Sequence, residues 1–316
     1  MKVGVIMGGN SSERAVSLES GREIMQHLDQ NKYEIMPIEL GEGADWIGQV
    51  EGLDLAFLAL HGKYGEDGTI QGTLETLGIP YTGSGVTSSS LCMDKHLSKK
   101  LIASEGVATP AWVLARTGEE IPFELAERLG YPLVVKPNTG GSSVGVTLAS
   151  DRRQLIYAVE EAWRWDSEVL IEQYIEGEEL TCGLLDGKLL PTISIRHQAD
   201  FFNYDSKYVT GMAEETVAVL PAALEQAVQA AALTCYQILK CRVYARVDLM
   251  VKDGIPYVME VNTLPGLTAN SLLPKSASAA GISYPELLDA IIEISLNSGG
   301  KSGTTDDSKA GLRTQI

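Results

Sequence analysis

The chain has 316 residues, 44% of them hydrophobic and 21% charged, with a formal net charge of −17 at pH 7. That length exceeds what one hydrophobic core organises, so two or three domains are expected, and the composition is ordinary for a soluble enzyme. The acidic balance argues against a nucleic-acid partner, because backbone phosphates are bound by basic surfaces; an anionic nucleotide would need a few local Lys and Arg.

The N-terminal run, residues 3–7, is a short apolar strand broken by Gly8-Gly9 and is not a signal peptide. A loop over 8–12 and a helix over 13–28 follow, then strands over 33–40 and 53–60 and a helix over 68–77. Such alternation predicts a parallel sheet covered by helices. The glycines form no GxGxxG, which excludes a dinucleotide fingerprint. A helical pattern runs from 93 to 105, punctuated by Gly106 and Pro110. Residues 131–136 read as a strand entering a glycine-rich loop over 137–145; a helix over 152–164 and a strand over 168–174 close this middle unit. Strands over 179–185 and 188–195 flank Asp186-Gly187, and the polar stretch 197–216 reads as a long functional loop. An alanine-rich helix over 222–239, a hairpin and a last helix over 284–296 complete the folded part. Residues 297–316 have the composition of a disordered tail.

Cys92, Cys182, Cys235 and Cys241 show neither CxxC nor zinc-like spacing. They read as buried small hydrophobes in a reducing compartment. No run reaches the ~18 apolar residues of a membrane span. A soluble, cytoplasmic protein is expected, with no membrane partner.

The most informative stretch is ARVDLMVKDGIPYVMEVNTLPGLTANSLLP, residues 245–274. It sets Asp248, Glu260 and Asn262, all hard oxygen ligands, on two apolar segments joined at Lys252-Asp253-Gly254. Glu260 and Asn262 are two apart in a strand-like run and leave the same face. A three-residue loop with Gly254 left-handed would place Arg246 opposite Glu260, with Asp248 diagonal on that face. A strict two-residue turn at Asp253-Gly254 would oppose Asp248 to Met259 and spoil the cluster. Such a ligand set suits Mg²⁺, which takes few carboxylates and leaves its other positions to water and phosphate. The competing reading is a solvated hairpin.

Further motifs carry two readings each. KPNTGGSSVGV, residues 136–146, sets Lys136 at a strand end before Gly140, Gly141, Ser142 and Ser143. Small residues let backbone amides reach an anion and the lysine adds charge; the alternative is a flexible hairpin. It is not a Walker A loop, whose lysine follows the glycines. In GGNSSER, Glu13 is either a carboxylate for a substrate ammonium at a sheet's C-terminal edge or a dipole-favoured residue behind a Ser11 or Ser12 cap. His61 in LALHGKYGEDGTIQG stands directly after a buried strand, structural or a site histidine. Lys207-Tyr208 sits in the long polar loop, where a tyrosine is often only a packing anchor.

Taken in order, GGNSSERAVSLESG, HGKYGEDGTIQG, Pro80-Tyr81-Thr82-Gly83-Ser84-Gly85, Met93-Asp94-Lys95, KPNTGGSSVGV and EVNTLPGLTANSLLP closely resemble D-alanine–D-alanine ligases of the ATP-grasp superfamily. The resemblance covers about residues 1–296. It implies an α/β fold with α+β character: a three-domain ATP-grasp fold with an N-terminal parallel α/β domain over 1–94, a central domain over 95–177, and a metal and substrate domain over 178–296. It implies ATP and Mg²⁺ as cofactors, two ions being expected and Mn²⁺ a substitute, with two D-alanine molecules as substrates and a homodimer. By resemblance Lys95 and Lys136 touch ATP phosphates, while Glu172 and Glu179 lie near the adenine and ribose. Asp248, Glu260 and Asn262 match the metal ligands. Glu13 matches the group holding the first D-alanine's ammonium, Ser142 and Tyr208 its hydrogen-bonding partners, and His61 a neighbour. Lys207 matches a γ-phosphate contact. Arg246 and the Gly266 amide match oxyanion stabilisers, and Ser271 and Leu272 the recognition site for the second D-alanine's carboxylate. Tyr208, where ester-forming relatives tend to carry Phe, favours a dipeptide product. Ala15 and Thr139-Gly140 are minor departures. The implied reaction forms D-alanyl phosphate, then D-alanyl-D-alanine, for peptidoglycan precursors; other readings are a ligase of another amino or hydroxy acid, or a nucleotide-binding module without catalysis.

Overall fold

The computed structural model describes residues 1–41, 43, 45–197 and 213–299. Its first unit is β1 (Lys2–Gly8), α1 (Arg14–His27), β2 (Glu34–Leu40), β3 (Leu55–Leu58) and α2 (Thr69–Leu77). The strands pair in parallel in the order β2-β1-β3, as strand–helix alternation requires. β1 is central and buried from Val3 to Gly8, and Gly8 turns the chain out of the sheet at φ 89°. That turn places the Gly9–Glu13 loop at the C-terminal edge of the sheet, where ligands of parallel sheets gather.

The helix expected over 93–105 begins at 95, and a second helix that no pattern announced precedes it. α3 (Val86–Met93) and α4 (Lys95–Ser104) meet at Asp94, whose extended backbone (ψ 97°) breaks the run and whose side chain accepts the Leu97 N–H at 2.9 Å. The run VTSSSLCM is too polar to announce α3, and Asp94 acts as an N-cap. The central sheet follows, with β4 (Trp112–Arg116), α5 (Phe123–Arg128), β5 (Leu133–Pro137), β6 (Thr147–Ala149), α6 (Arg152–Ala162) and β7 (Glu168–Gln173). Its order β4-β7-β5-β6 is antiparallel throughout.

The third sheet uses β8 (Glu178–Leu185), β9 (Lys188–Leu189), β10 (Ile193–His197), β11 (Ala213–Val217), β12 (Tyr244–Lys252) and β13 (Ile255–Asn262), with α7 (Ala222–Ile238) packed on β12 and β13. Its order is β11-β10-β8-β12-β13, and β9 pairs with β8. The strand expected over 188–195 is split at Pro191, which has no N–H to donate to a ladder.

The hydrophobic cores do not follow contiguous thirds of the sequence. α8 (Leu272–Ala279) and α9 (Tyr284–Gly299) return to the first sheet, so that Leu273, Leu288 and Ile291 share one core with Val3, Val5 and Phe57. Cys92 and Ile102, from α3 and α4, join the core of the third sheet with Val228 and Val247. The middle core is the most local, built from residues such as Leu133, Leu155 and Ile171. α9 also runs past its expected end at 296, and in its last turns the Ser295 and Ser298 hydroxyls donate to the Ile291 and Ile294 carbonyls at 2.6 and 2.8 Å. Residues 300–316 and 198–212, covering most of the tail and the long loop, lie outside the described residues. Among the described residues no helix is long and apolar enough to cross a membrane. All four cysteines are buried free thiols.

Candidate active site

The β12–β13 hairpin solves its register in a way the sequence did not suggest. The turn is the strict two-residue one: Lys252 pairs with Ile255, and Asp253 and Gly254 both take left-handed backbone (φ 52° and 76°). A β-bulge then shifts the register between Asp248 and Leu249, leaving Met259 as the extra residue. Asp248 therefore stands opposite Glu260, and Arg246 opposite Asn262 rather than Glu260. The cluster survives because the bulge absorbs the offset that the tight turn introduces.

Asp248 is the hub of this cluster. Its Oδ1 accepts from Arg246 Nε at 2.9 Å and from Thr181 Oγ1 at 2.6 Å; its Oδ2 accepts from Arg246 Nη2 at 2.7 Å and Asn262 Nδ2 at 3.0 Å. Glu260 Oε2 lies 3.6 Å from Lys95 Nζ. Among the described residues no three His, Cys, Asp or Glu side chains gather as a self-sufficient metal cage. Two carboxylates and one amide on one face of a hairpin are instead the hard, incomplete donor set that fits Mg²⁺ completed by phosphate and water.

The opposite wall comes from the central sheet. β5 delivers Lys136 into the glycine-rich loop, and the residues after it turn back through Ser142 and Ser143, both left-handed (φ 53° and 58°). Consecutive non-glycine residues in that region cost roughly 1–3 kcal/mol each and mark a segment shaped for a ligand. Lys95, at the start of α4, donates to the Gly140 carbonyl at 2.5 Å. Between the two walls lies a cavity of about 750 Å³, lined by Lys95, Lys136, Ser142, Glu179, Asp248 and Glu260 among others. That volume suits a nucleotide-sized ligand.

Glu13 closes one end of the arrangement. It is buried and occupies the N-cap position of α1 without capping it through its own side chain, while its backbone N–H donates to Ser11 Oγ at 3.2 Å, as the capping reading of GGNSSER expects of Ser11. Ser11 Oγ also donates to the His61 carbonyl at 2.7 Å. The Glu13 carboxylate accepts a hydrogen bond from Ser142 Oγ. It is enclosed by two glycines: a Cβ on Gly62 or on Gly141 would stand 2.9 Å from Glu13 Oε2. Three loops distant in sequence thus converge on one carboxylate.

His61, which precedes Gly62, is buried, with Nε2 3.4 Å from Ser20 Oγ. Burial pushes the imidazole down to about 4, against a hydrogen bond with the Leu264 backbone and helped by the Arg246 charge, so the ring is neutral at pH 7. Glu66, a residue that no sequence motif singles out, joins this cluster. It accepts the Gly62 N–H at 2.9 Å, and enclosure of its carboxyl, then the Glu13 charge, push it up to about 8, with Glu260 contributing and Gly62 and Lys95 opposing.

Glu179 lines the cavity, whereas Glu172 does not: it is fully buried behind Lys136, whose Nζ lies 2.8 Å from Glu172 Oε2. Ser271 is the N-cap residue of α8 and Leu272 its first residue. Ser271 Oγ hydrogen-bonds Thr268 Oγ1 at 2.7 Å, and a Cβ on Gly266 would stand 3.0 Å from the same oxygen. Gly266, Ser271 and Leu272 therefore form one compact turn. Lys207 and Tyr208 lie outside the described residues.

Two antiparallel sheets that grip a nucleotide-sized cleft, Lys136 on one and hard oxygens on the other, with Lys95 between them on α4, define an ATP-grasp ligase. Comparison with known proteins narrows the class. The family profile described as D-ala D-ala ligase C-terminus matches residues 101–293, and D-ala D-ala ligase N-terminus matches 2–52 and 48–84. The D-alanine–D-alanine ligase of Bacillus anthracis is 60% identical over 296 residues, covering 94% of this chain and 97% of that protein. A crystal structure of the Bacillus anthracis ligase complexed with ATP superposes with a TM-score of 0.88 at 56% identity, covering 96% of this chain and 100% of the other. The VanG D-Ala:D-Ser ligase of Enterococcus faecalis superposes at 0.82 and 32% identity, covering 93% and 99%. The chain belongs to the D-alanine–D-alanine ligase family.

Proposed function

We propose that the residues gathered around the cleft divide among themselves the ATP-dependent ligation of two D-alanine molecules, with release of ADP and phosphate. The chain is a ligase of the carbon–nitrogen type, serving peptidoglycan precursor synthesis. A carboxylate is a poor electrophile, so ATP first converts the first D-alanine to an acyl phosphate, a step achieved by positioning and charge neutralisation. Lys95 and Lys136 face the ATP phosphates and Glu179 the ribose. Asp248, Glu260 and Asn262 hold Mg²⁺, as one ion or two. When bound there, the metal would supply positive charge to the transferring phosphoryl group.

Glu13, oriented by Ser142, pairs with the ammonium of the first D-alanine, and neutral His61 stands beside it. The second D-alanine's amine attacks the acyl phosphate while Ser271 and the Leu272 turn hold its carboxylate. Arg246 and the Gly266 amide stabilise the oxyanion, a contribution of about 3–4 kcal/mol per donor. Lys207 and Tyr208 complete the set on the γ-phosphate and the Glu13–Ser142 pair. The three cores are read as three domains, in a cytoplasmic homodimer.

The observation that carries this reading is the Glu13 carboxylate, buried between Gly62 and Gly141 and hydrogen-bonded by the loop that also forms the lysine wall. An ammonium-binding group beside a nucleotide cleft is what an amino-acid-activating ligase requires. The test is phosphate release from Mg-ATP with D-alanine, L-alanine or no amino acid, with the product identified by mass. Release with D-alanine alone, matched one-to-one by D-alanyl-D-alanine, is expected. ATP-binding protein without D-alanine-dependent release would reject the assignment, and a mixed product with D-serine or D-lactate would redirect it to a different second substrate.

A further inference from the structure

Behind the cavity wall lie two charged side chains, Glu172 and Lys99, that the ligation leaves unused. Glu172 on β7 is fully buried. It stands opposite Val134 on β5 and is therefore diagonal to Lys136 on the same face. Its Oε2 is 2.8 Å from Lys136 Nζ and its Oε1 is 3.0 Å from Lys99 Nζ, which reaches it from α4. Neither oxygen has a well-directed hydrogen bond from any other described group, so the two lysines alone balance this carboxylate. Lys99 is itself 1% exposed. Its ammonium also donates to Thr109 Oγ1 at 2.8 Å and lies 5.0 Å from the centroid of the Trp112 ring. The ring is fixed in turn by a 2.9 Å hydrogen bond from Trp112 Nε1 to His96 Nδ1.

A buried lysine is costly, and burial lowers the Lys99 ammonium to about 8 against the pull of Glu172. Burial also opposes the ionised Glu172, but the two lysines outweigh it and leave its carboxyl below the usual range. The charge count gives such an expensive arrangement a purpose. Lys136 and Glu172 alone would be a neutral pair with the lysine committed to its carboxylate. With Lys99 the group carries one net positive charge, and Lys136 is the member that reaches the cavity.

We propose that Lys99 is a positioning residue for nucleotide binding, sharing the Glu172 carboxylate so that Lys136 keeps its geometry and offers its charge to phosphate. This rests on the reading of Lys136 as a phosphate ligand. Residues behind a ligating group commonly change affinity ten- to a hundredfold when removed, and here the loss should depend on phosphate. In calorimetric titrations of the full chain, Lys99→Met is expected to weaken Mg-ATP and Mg-ADP about tenfold while leaving adenosine unchanged. Lys99→Arg should retain most of the wild-type affinity. Lys99→Met combined with Glu172→Gln should recover much of the loss, because Lys136 is then released from its carboxylate.

A lysine that merely holds the fold together would give a lower melting temperature with unaltered nucleotide affinities, and that result would overturn the proposal. An equal loss for adenosine would overturn it as well, by making the effect one of shape and not of charge. Lys136→Met serves as the control. If it binds Mg-ATP like wild type, the reading of Lys136 fails whatever Lys99 does. If Lys136→Met is weakened and Lys99→Met is not, the positioning role alone fails. Should Lys99→Met not fold, Lys99→Gln, which can still hydrogen-bond Thr109, takes its place with the same expectations.

Discussion

His61 illustrates how a site residue can be read through its proton. Folding takes the imidazole from an ordinary 6.5 to about 4, because burial and the Arg246 charge disfavour the cation. The unfolded chain therefore binds the proton first as pH falls, and stability is lost between 6.5 and 4. The shift corresponds to about 3 kcal/mol. In urea titrations, wild type should lose about 2–3 kcal/mol more than His61→Gln between pH 7 and 4.5. Equal losses in the two proteins would mean that His61 is not buried as the neutral ring. Residues of this kind were legible to different degrees. Glu13 was visible as a carboxylate after two glycines, but choosing between cap and ligand required knowing that Gly62, Gly141 and Ser142 surround it. Lys99 was not legible. It sits next to Lys100 in a helix, and nothing in the pair of letters shows that Lys99 is buried while Lys100 is exposed.

Among the elements, the β12–β13 hairpin depends most on detail. The face shared by Glu260 and Asn262 was foreseeable from period-two spacing, whereas Asp248 joins it through the bulge at Met259 and not through the expected three-residue loop, and an extra residue in a ladder leaves no compositional mark. The turn itself is testable. Gly254 has φ 76° with open space where a Cβ would go, so Gly254→Ala brings backbone strain without a clash. A cost of about 1 kcal/mol is expected, which for a protein of this size lowers Tm by roughly 2–4 °C. Since the turn lies at the far end from the ligand cluster, kcat per folded molecule should stay at the wild-type value. A large fall in kcat with an unchanged Tm would show that the turn adjusts the ligands directly. The break between α3 and α4 teaches the same lesson from the other side: Asp94 is a recognisable cap, but the helix before it is held by packing on the third core and not by its own pattern.

At the scale of the whole molecule, the last helix ties the ends of the chain together. Leu288 and Ile291 of α9 are fully buried in the same core as Val3, Val5 and Phe57 of the first sheet. Sequence alternation revealed the parallel sheet but could not reveal that its final covering helix arrives some two hundred residues later, because such contacts have no local signature. The first sheet is therefore incomplete until the C-terminal chain has folded back on it. Leu288→Ala removes a fully enclosed side chain, and a cost of about 2–5 kcal/mol is expected. The consequence should appear far from the substitution in sequence. Hydrogen exchange measured by mass should accelerate in residues 2–8 of β1 together with residues 284–299 of α9, while the middle core around Leu133 and Ile171 keeps its protection. Faster exchange confined to α9 would mean that the first sheet stands without it, and the helix would then be an appendage of the third unit. Faster exchange in both, with the central sheet unchanged, would establish that Glu13 and His61 are held in place by a helix from the opposite end of the chain.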